Sequence, residues 1–269
     1  MTSPSEIRSA AGKVGDSHAL EVLARAGFAA SGLVHLLLGY LAIRVALHQG
    51  GKSDQSGALA QVAKLPGGTI ILWLTVIGLF ALGLWLVIQA VLGIGSSSKK
   101  RWVRSLVSAS KAAAYVALGL TAAQTALGSA ASSTSTSTNA SASILTLPGG
   151  RILLVVVGLI AIGVGAYFVV KGSRRKFLDD IALPSGSTGR AITGLGILGY
   201  VAKGVAVFVV GILFIVAAAT LDPQKASGLD GALKALAALP FGQVILIAVG
   251  VGLICYGVYS FARARFARL

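Results

Sequence analysis

Apolar residues fall into six long stretches, near 26–47, 67–92, 103–127, 149–170, 191–219 and 241–261, each nearly free of charge. At about 1.5 Å of rise per residue, some 20 residues cross a hydrocarbon core. A helix on the surface of a soluble domain keeps a polar face, and these segments have none. The pattern predicts an all-α integral membrane protein with six transmembrane helices.

Three of the stretches open on one run: Leu65-Pro66-Gly67-Gly68, Leu147-Pro148-Gly149-Gly150 and Leu239-Pro240-Phe241-Gly242. Each has a glycine 17 residues past the proline (Gly83, Gly165, Gly257) and an aromatic two further on (Trp85, Tyr167, Tyr259). Four residues later come Gln89, Lys171 and Arg263. The other spans align as well, span 3 on span 1 at an offset of 80 and span 5 at 172. That register puts Ser31, Lys111 and Lys203 at one position, His35 and Tyr115 at a second, and Gly39, Gly119 and Gly211 at a third. Self-similarity at this period marks tandem repeats. The chain divides into a cytoplasmic N-terminal segment (1–24), repeat 1 with spans 1 and 2 (25–95), repeat 2 with spans 3 and 4 (96–176) and repeat 3 with spans 5 and 6 (177–269).

Two-span repeats all share one orientation, and parallel repeats are related by an axis along the membrane normal. A pseudo-threefold bundle is therefore expected. Polar residues gather in spans 1, 3 and 5, which are expected inside, with spans 4 and 6 facing lipid. Small residues at four-residue spacing (Ala109, Ala113, Ala117, Thr121 and Thr125 on span 3; Ala161/Gly165; Ala248/Gly252) are expected to let helices pack closely.

Between spans 1 and 2, residues 56–65 carry a helical apolar pattern behind Ser56, and residues 230–239 do so behind Asp230, both good N-cap residues. Too short to span, they are expected as half-helices in the outer interface before spans 2 and 6. The proline ends each one and opens the next span at a first-turn position. In the middle repeat this slot holds Ser132-Ser133-Thr134-Ser135-Thr136-Ser137-Thr138, a polar tract expected to be a flexible outer loop. At the N-terminus, Asp16 or Ser17 is expected to cap a short helix leading into the membrane, with disorder over residues 1–15 as the equal alternative. The loop joining repeats 2 and 3, containing Asp179-Asp180, is about ten residues longer than its counterpart between repeats 1 and 2.

Charge sets the orientation. Charged residues make up 12% of the chain, against about 25% in soluble domains. Fifteen Lys and Arg lie on the side of the termini and five on the other, with Arg44, Lys111 and Lys203 within spans. The excess marks the cytoplasmic side, so both termini are expected there. Basic residues near that face attract anionic inner-leaflet lipids by about 1 kcal/mol each. The single cysteine, Cys255, excludes an intramolecular disulfide.

Lys111 and Lys203 are the candidate chemistry. An ionisable side chain in a span costs about 2.5–3.5 kcal/mol on insertion scales and marks a functional candidate. On inner helices the two lysines, with Ser31 beside them and His35 and Tyr115 a turn deeper, would form a basic vestibule open to the cytoplasm. That site suits a lipid headgroup or a small anion. The competing reading has both lysines reaching to headgroups, since helical side chains lean toward the N-terminus. No Asp or Glu lies in any span, which argues against carboxylate-based proton or sodium coupling. Gly194-Leu195-Gly196-Ile197-Leu198-Gly199 matches the dinucleotide fingerprint but follows no strand, and Gly51-Lys52-Ser53 lacks the leading glycine of a P-loop. Nothing indicates an enzyme, a cofactor, a metal or a nucleic-acid partner. The expected function is to bind, and if the core is hydrated to move, an anionic or amphiphilic ligand. The alternative is a non-catalytic accessory or scaffold subunit, pairing with itself or another membrane protein through small-residue faces.

The residues Ala24-Arg25-Ala26-Gly27-Phe28, Gly32, Gly39, Asp54, Gly57-Ala58-Leu59, Pro66, Gly78-Leu79, Trp85 and Gln89-Ala90 resemble the bacterial family catalogued as domain of unknown function 1206. The resemblance covers about residues 20–268 and is stronger in repeats 1 and 3. Repeat 2 lacks the arginine–glycine opening and the Gly-Ala-Leu element. It implies three tandem two-span repeats in a bacterial inner membrane and carries no activity.

Overall fold

The computed structural model describes residues 18–47, 55–64, 66–92, 101–129 and 133–268. Among them are nine α-helices: α1 (His18–Ala46), α2 (Gln55–Ala63), α3 (Gly68–Leu92), α4 (Arg101–Ala126), α5 (Ser133–Leu145), α6 (Gly150–Ser173), α7 (Gly186–Thr220), α8 (Gly228–Ala237) and α9 (Gly242–Phe266). Short 3-10 helices lie at Lys176–Asp180 and Pro223–Lys225, and Ile181 and Ala267 form an isolated antiparallel bridge. Among the described residues four helical segments are long and apolar enough to cross a membrane: Arg25–Ala46 of α1, and all of α6, α7 and α9. The start of α3, Gly68–Ala81, is apolar over a shorter length. The helix expected to lead into span 1 is the first turns of α1 itself; residues 1–15, Asp16 and Ser17 lie outside the described residues.

The repeated Leu-Pro-Gly-Gly run is a corner. In repeat 2 the Gly150 N–H donates to the Leu147 carbonyl at 2.9 Å, and Gly149 adopts φ 75°, ψ 4°. This is a type II turn with proline at its second position and a left-handed residue at its third. Gly67 takes the same φ, and in repeat 3 Phe241 does so at 59°, a conformation that L side chains rarely adopt. The second glycine answers a different need. A Cβ on Gly68, Gly150 or Gly242 would run into the carbonyl of Val62, Ile144 or Ala237 on the preceding short helix. Each short helix is thus folded hard against the start of the next long one. The long helices begin two residues after the proline, which is the bend of the turn rather than the first helical residue.

Two expectations about the short helices change. α2 and α8 start at Gln55 and Gly228, so Ser56 and Asp230 lie in the first turn instead of capping it. Asp230 is buried and holds the Lys234 ammonium at 2.7 Å, one helical turn away. The serine–threonine tract is not a loop: Ser133–Leu145 is helical. Its hydroxyls are satisfied where they stand. Thr138 Oγ1 donates to the Thr134 and Ser135 carbonyls, each at 3.1 Å, and Ser137 Oγ donates to the Ala226 carbonyl at 2.7 Å. Thr138 and Ser141 are buried, and α5 packs on α8 and the Pro223–Lys225 turn. Tertiary contact outweighs a weak intrinsic helix preference here.

The long helices are neighbours in the order α6, α7, α9, α1, α3, α4. Their three most extensive seams, α6–α7, α9–α1 and α3–α4, each join the second long helix of one repeat to the first of the next, repeat 3 joining back to repeat 1. Equivalent residues build them. Gly32 and Gly39 on α1 meet Gly257 and Gly250 on α9, while Gly204 and Gly211 on α7 meet Gly165 and Gly158 on α6. At α3–α4 the contacts are Gly83 with Ala112 and Val116, and Gly119 with Phe80. These glycines lie seven residues apart, two turns of a 3.5-residue period, which keeps a seam in line along a shallow crossing. Of the four-residue stripe expected on span 3, Ala109 and Ala113 have side chains outside the described residues, and Thr121 and Thr125 are half-buried. Ala112, Gly119 and Ala122 of α4 are buried, whereas Ala117 is exposed.

The spans expected inside also shift. Half of the apolar window of α9 is buried, against a third in α1 and α7 and 17% in α6. Span 4 (α6) is the least buried of the four, and span 6 (α9) is the packing hub. Gly250 and Gly257 admit α1, and on another face Gly252 meets Ala202 of α7 while Tyr256 lies over Gly199. Apolar composition does not separate a lipid face from a face packed on another helix, and α9 uses its glycines for the second. Among the described residues α1, α4 and α7 form no extensive seam with one another.

Candidate functional site

Three of the five sequence candidates meet. Ser31, His35 and Tyr115 line one cavity of about 60 Å³ between α1, α2, α3 and α4, together with Thr75. Its remaining walls are apolar, Leu38 and Leu118 from equivalent repeat positions and Leu59 and Leu79 across from them. Since one water needs roughly 10–15 Å³ by this measure, the space holds a few waters or a small apolar group. His35 Nδ1 lies 2.7 Å from the Ser31 carbonyl oxygen. A carbonyl can only accept, so Nδ1 carries a proton in this contact. Thr75 Oγ1 donates to the Ile71 carbonyl at 2.8 Å, one turn back.

Lys203 is elsewhere. Its ammonium lies 4.2 Å from the centroid of the Tyr256 ring and 5.2 Å from that of Phe168. Tyr256 also packs against His35 at 4.6 Å between ring centroids, which links this lysine to the cavity. Lys203 is thus turned onto aromatic faces inside the protein. Cation–aromatic contacts of this kind contribute about 0.5–2 kcal/mol each and offset part of the insertion cost. The side chain of Lys111 lies outside the described residues. The cavity itself is bounded by spans 1, 2 and 3, not by 1, 3 and 5.

Two cations that the sequence reading noted only as repeat markers join Lys203. Lys171 Nζ pairs with Asp180 Oδ2 at 2.6 Å and lies 5.5 Å from the Tyr200 ring centroid. The Arg263 guanidinium reaches the same Oδ2 at 3.8 Å and covers Phe28 at 4.3 Å. Arg263 Nε is buried with no hydrogen-bond partner among the described residues. Aromatic rings knit the centre together. Tyr200 stacks on Phe177 at 5.3 Å and meets Tyr256 edge-on at 5.2 Å, and Phe177 meets Tyr259 edge-on at 5.2 Å. Glycines create the room, Gly199 beneath Tyr256 and Gly196 beneath Phe177. Among the described residues two cations, Lys171 and Arg263, share the Asp180 carboxylate, and Lys203 stands on the Tyr256 ring of the same aromatic centre.

Some signal for these residues was present. Lys171 and Arg263 occupy one repeat position, and Tyr256 stands where the other repeats have Leu82 and Val164. Phe177 and Asp180 lie in the loop whose extra length was visible. What no pattern showed is that the loop folds back onto α7 and α9.

Comparison with known proteins agrees with the repeat. A family described as "Domain of Unknown Function (DUF1206)" matches three times, over residues 26–93, 106–175 and 198–267. The chain is also similar to "Uncharacterized protein YxxB" of Bacillus subtilis (strain 168), at 31% identity over 256 residues covering 91% of this chain and 90% of that protein. No solved structure matches. Three successive matches in register with the Leu-Pro-Gly-Gly corners cover most of the chain, which belongs to the DUF1206 family.

Proposed function

We propose that this protein binds an anionic amphiphile within the bacterial cytoplasmic membrane, the head on Lys203, Lys171 and Arg263 and the apolar body toward the cavity of Ser31, His35 and Tyr115. The observation that carries this reading is the charge imbalance among the described residues: Lys171 and Arg263 share Asp180, and Lys203 lies on the Tyr256 ring that packs against His35 at an apolar cavity with a polar rim. An oxyanion recovers the cost of holding those cations out of water through charge-assisted hydrogen bonds. The bundle is read as six spans around a pseudo-threefold axis with both termini cytoplasmic, supported by the equivalent residues in its three seams and by the lysine and arginine asymmetry. Backbone-to-backbone glycine seams favour a fixed bundle over rocking halves, and hence binding over transport. The scaffold alternative is less favoured, because Gly165 and Gly252 of the small-residue pairs are engaged by α7 within the chain.

The test is native mass spectrometry of the protein in neutral maltoside detergent, titrated with dodecyl phosphate. Lys203→Ala is expected to weaken occupancy about tenfold, the loss of one charge-assisted contact, while Lys234→Ala on the exposed short helix leaves it unchanged. Equal binding by wild type and Lys203→Ala would sink the assignment. Orientation is checked separately by placing single cysteines at Gln224 and Arg268 in a Cys255→Ala background. A membrane-impermeant maleimide added to intact cells should label the first and spare the second; labelling at Arg268 would reverse the topology.

A further inference from the structure

The loop between repeats 2 and 3 does more than connect them. Residues 174–185 form a strap across the end of α7 and α9, held at three points. Phe177 is fully buried in the aromatic centre, its carbonyl accepting from Tyr259 Oη at 3.4 Å. Ile181 bridges to Ala267, with the Ala182 N–H donating to the Phe266 carbonyl at 2.7 Å and the Arg268 N–H to the Asp180 carbonyl at 3.1 Å. Asp180 supplies the carboxylate that sits among the cations.

That carboxylate fits its place poorly. Oδ2 satisfies Lys171 at 2.6 Å, but the same atom stands 3.8 Å from Arg263, beyond hydrogen-bond range. Among the described residues Arg263 Nε is left buried and unbonded. A guanidinium is a planar fork that takes two oxygens of one anion, and here it is offered part of one. A phosphate or carboxylate head with free oxygens could engage Lys171 and the Arg263 fork together, which Asp180 on its short tether does not.

We propose that Asp180 is a built-in occupant of an anion site formed by Lys171 and Arg263, and that the strap lifts when the anionic head of a ligand takes its place. This rests on the binding reading above and adds to it a competitor carried by the chain. An occupant that fills a site nine-tenths of the time weakens apparent affinity about tenfold.

Asp180→Asn in neutral maltoside detergent is therefore expected to bind dodecyl phosphate up to about tenfold more tightly than wild type, with Asp180→Glu behaving as wild type. In the wild type, dodecyl phosphate should speed hydrogen exchange at the Ala182 and Arg268 amides, which pin the strap. A matching gain for inorganic phosphate would identify a free anion as the ligand, and a gain confined to dodecyl phosphate a lipid-like one. If Asp180 is only a structural ion pair, Asp180→Asn melts lower, binds no tighter and leaves those amides unmoved, and the proposal falls. Loss of binding in Lys203→Ala without a gain in Asp180→Asn would retain the binding reading and remove the strap. A gain in Asp180→Asn with Lys203→Ala unchanged would retain the strap and remove Lys203. Absence of binding in every variant overturns both.

Discussion

Alanine at Gly165 is expected to destabilise the protein by about 1–3 kcal/mol, the usual cost of forcing a methyl group into a filled core. At Gly163, two residues away on the same helix, it should do no harm. A Cβ on Gly165 would lie 2.6 Å from the Phe208 nitrogen, 2.7 Å from the Gly204 oxygen and 2.8 Å from the Phe208 Cα. All three are backbone atoms, so no side chain can swing aside and α6 and α7 must separate. Around Gly163 nothing lies within 4 Å, and alanine there gains about 0.5–1 kcal/mol from its better helix propensity. Thermal unfolding of both variants in neutral detergent decides the matter. Indistinguishable midpoints would mean that the glycine seam does not hold these helices together. The same logic extends to Gly39 against Gly250 at α9–α1, the equivalent seam between repeats 3 and 1.

Phe177→Ala should cost more, about 3–5 kcal/mol, as for other fully buried aromatics truncated to a methyl group. The ring is enclosed by Tyr200 and Tyr259 and lies against Gly196, where any Cβ would enter its space. Its loss removes the anchor of the strap as well as its buried area, so the Ala182 and Arg268 amides should exchange freely. Phe177→Leu, which refills much of the volume, is expected to fall between wild type and alanine and guards against an alanine variant that fails to fold. A loss below about 1 kcal/mol would show that the strap is only laid on the surface. Asp180→Asn, by contrast, leaves the ring in place, so the two substitutions separate the anchoring of the strap from the charge it carries.

What could be read from the residues follows from how local each cause is. The Leu-Pro-Gly-Gly corners declare themselves because proline fixes its own φ and glycine alone takes the left-handed place without strain. Long apolar runs declare helices because nothing in them can satisfy a backbone outside a helix in lipid. The repeat needed only counting, and it put His35 and Tyr115 at one repeat position and Ser31 at the position of Lys111 and Lys203.

Pairing was different. Whether Gly165 faces lipid or Gly204, and whether Gly257 faces a partner or Gly32, depends on which helix lies opposite, and glycine reads the same in either case. For the same reason α9 looked like a lipid-facing span and is the most buried. The serine–threonine helix forms because Ser137 finds the Ala226 carbonyl, 89 residues away, a partner its own tract does not contain. Lys203 carries a charge whose partner no local pattern named; the tertiary structure lays it on the Tyr256 ring. Asp180, ordinary in a polar loop, came to lie between Lys171 and Arg263 once Phe177 found the hollow over Gly196. Local covalent chemistry and hydropathy set the helices, corners and repeat from sequence alone. Contacts between residues distant along the chain decided which faces met, and with them the site.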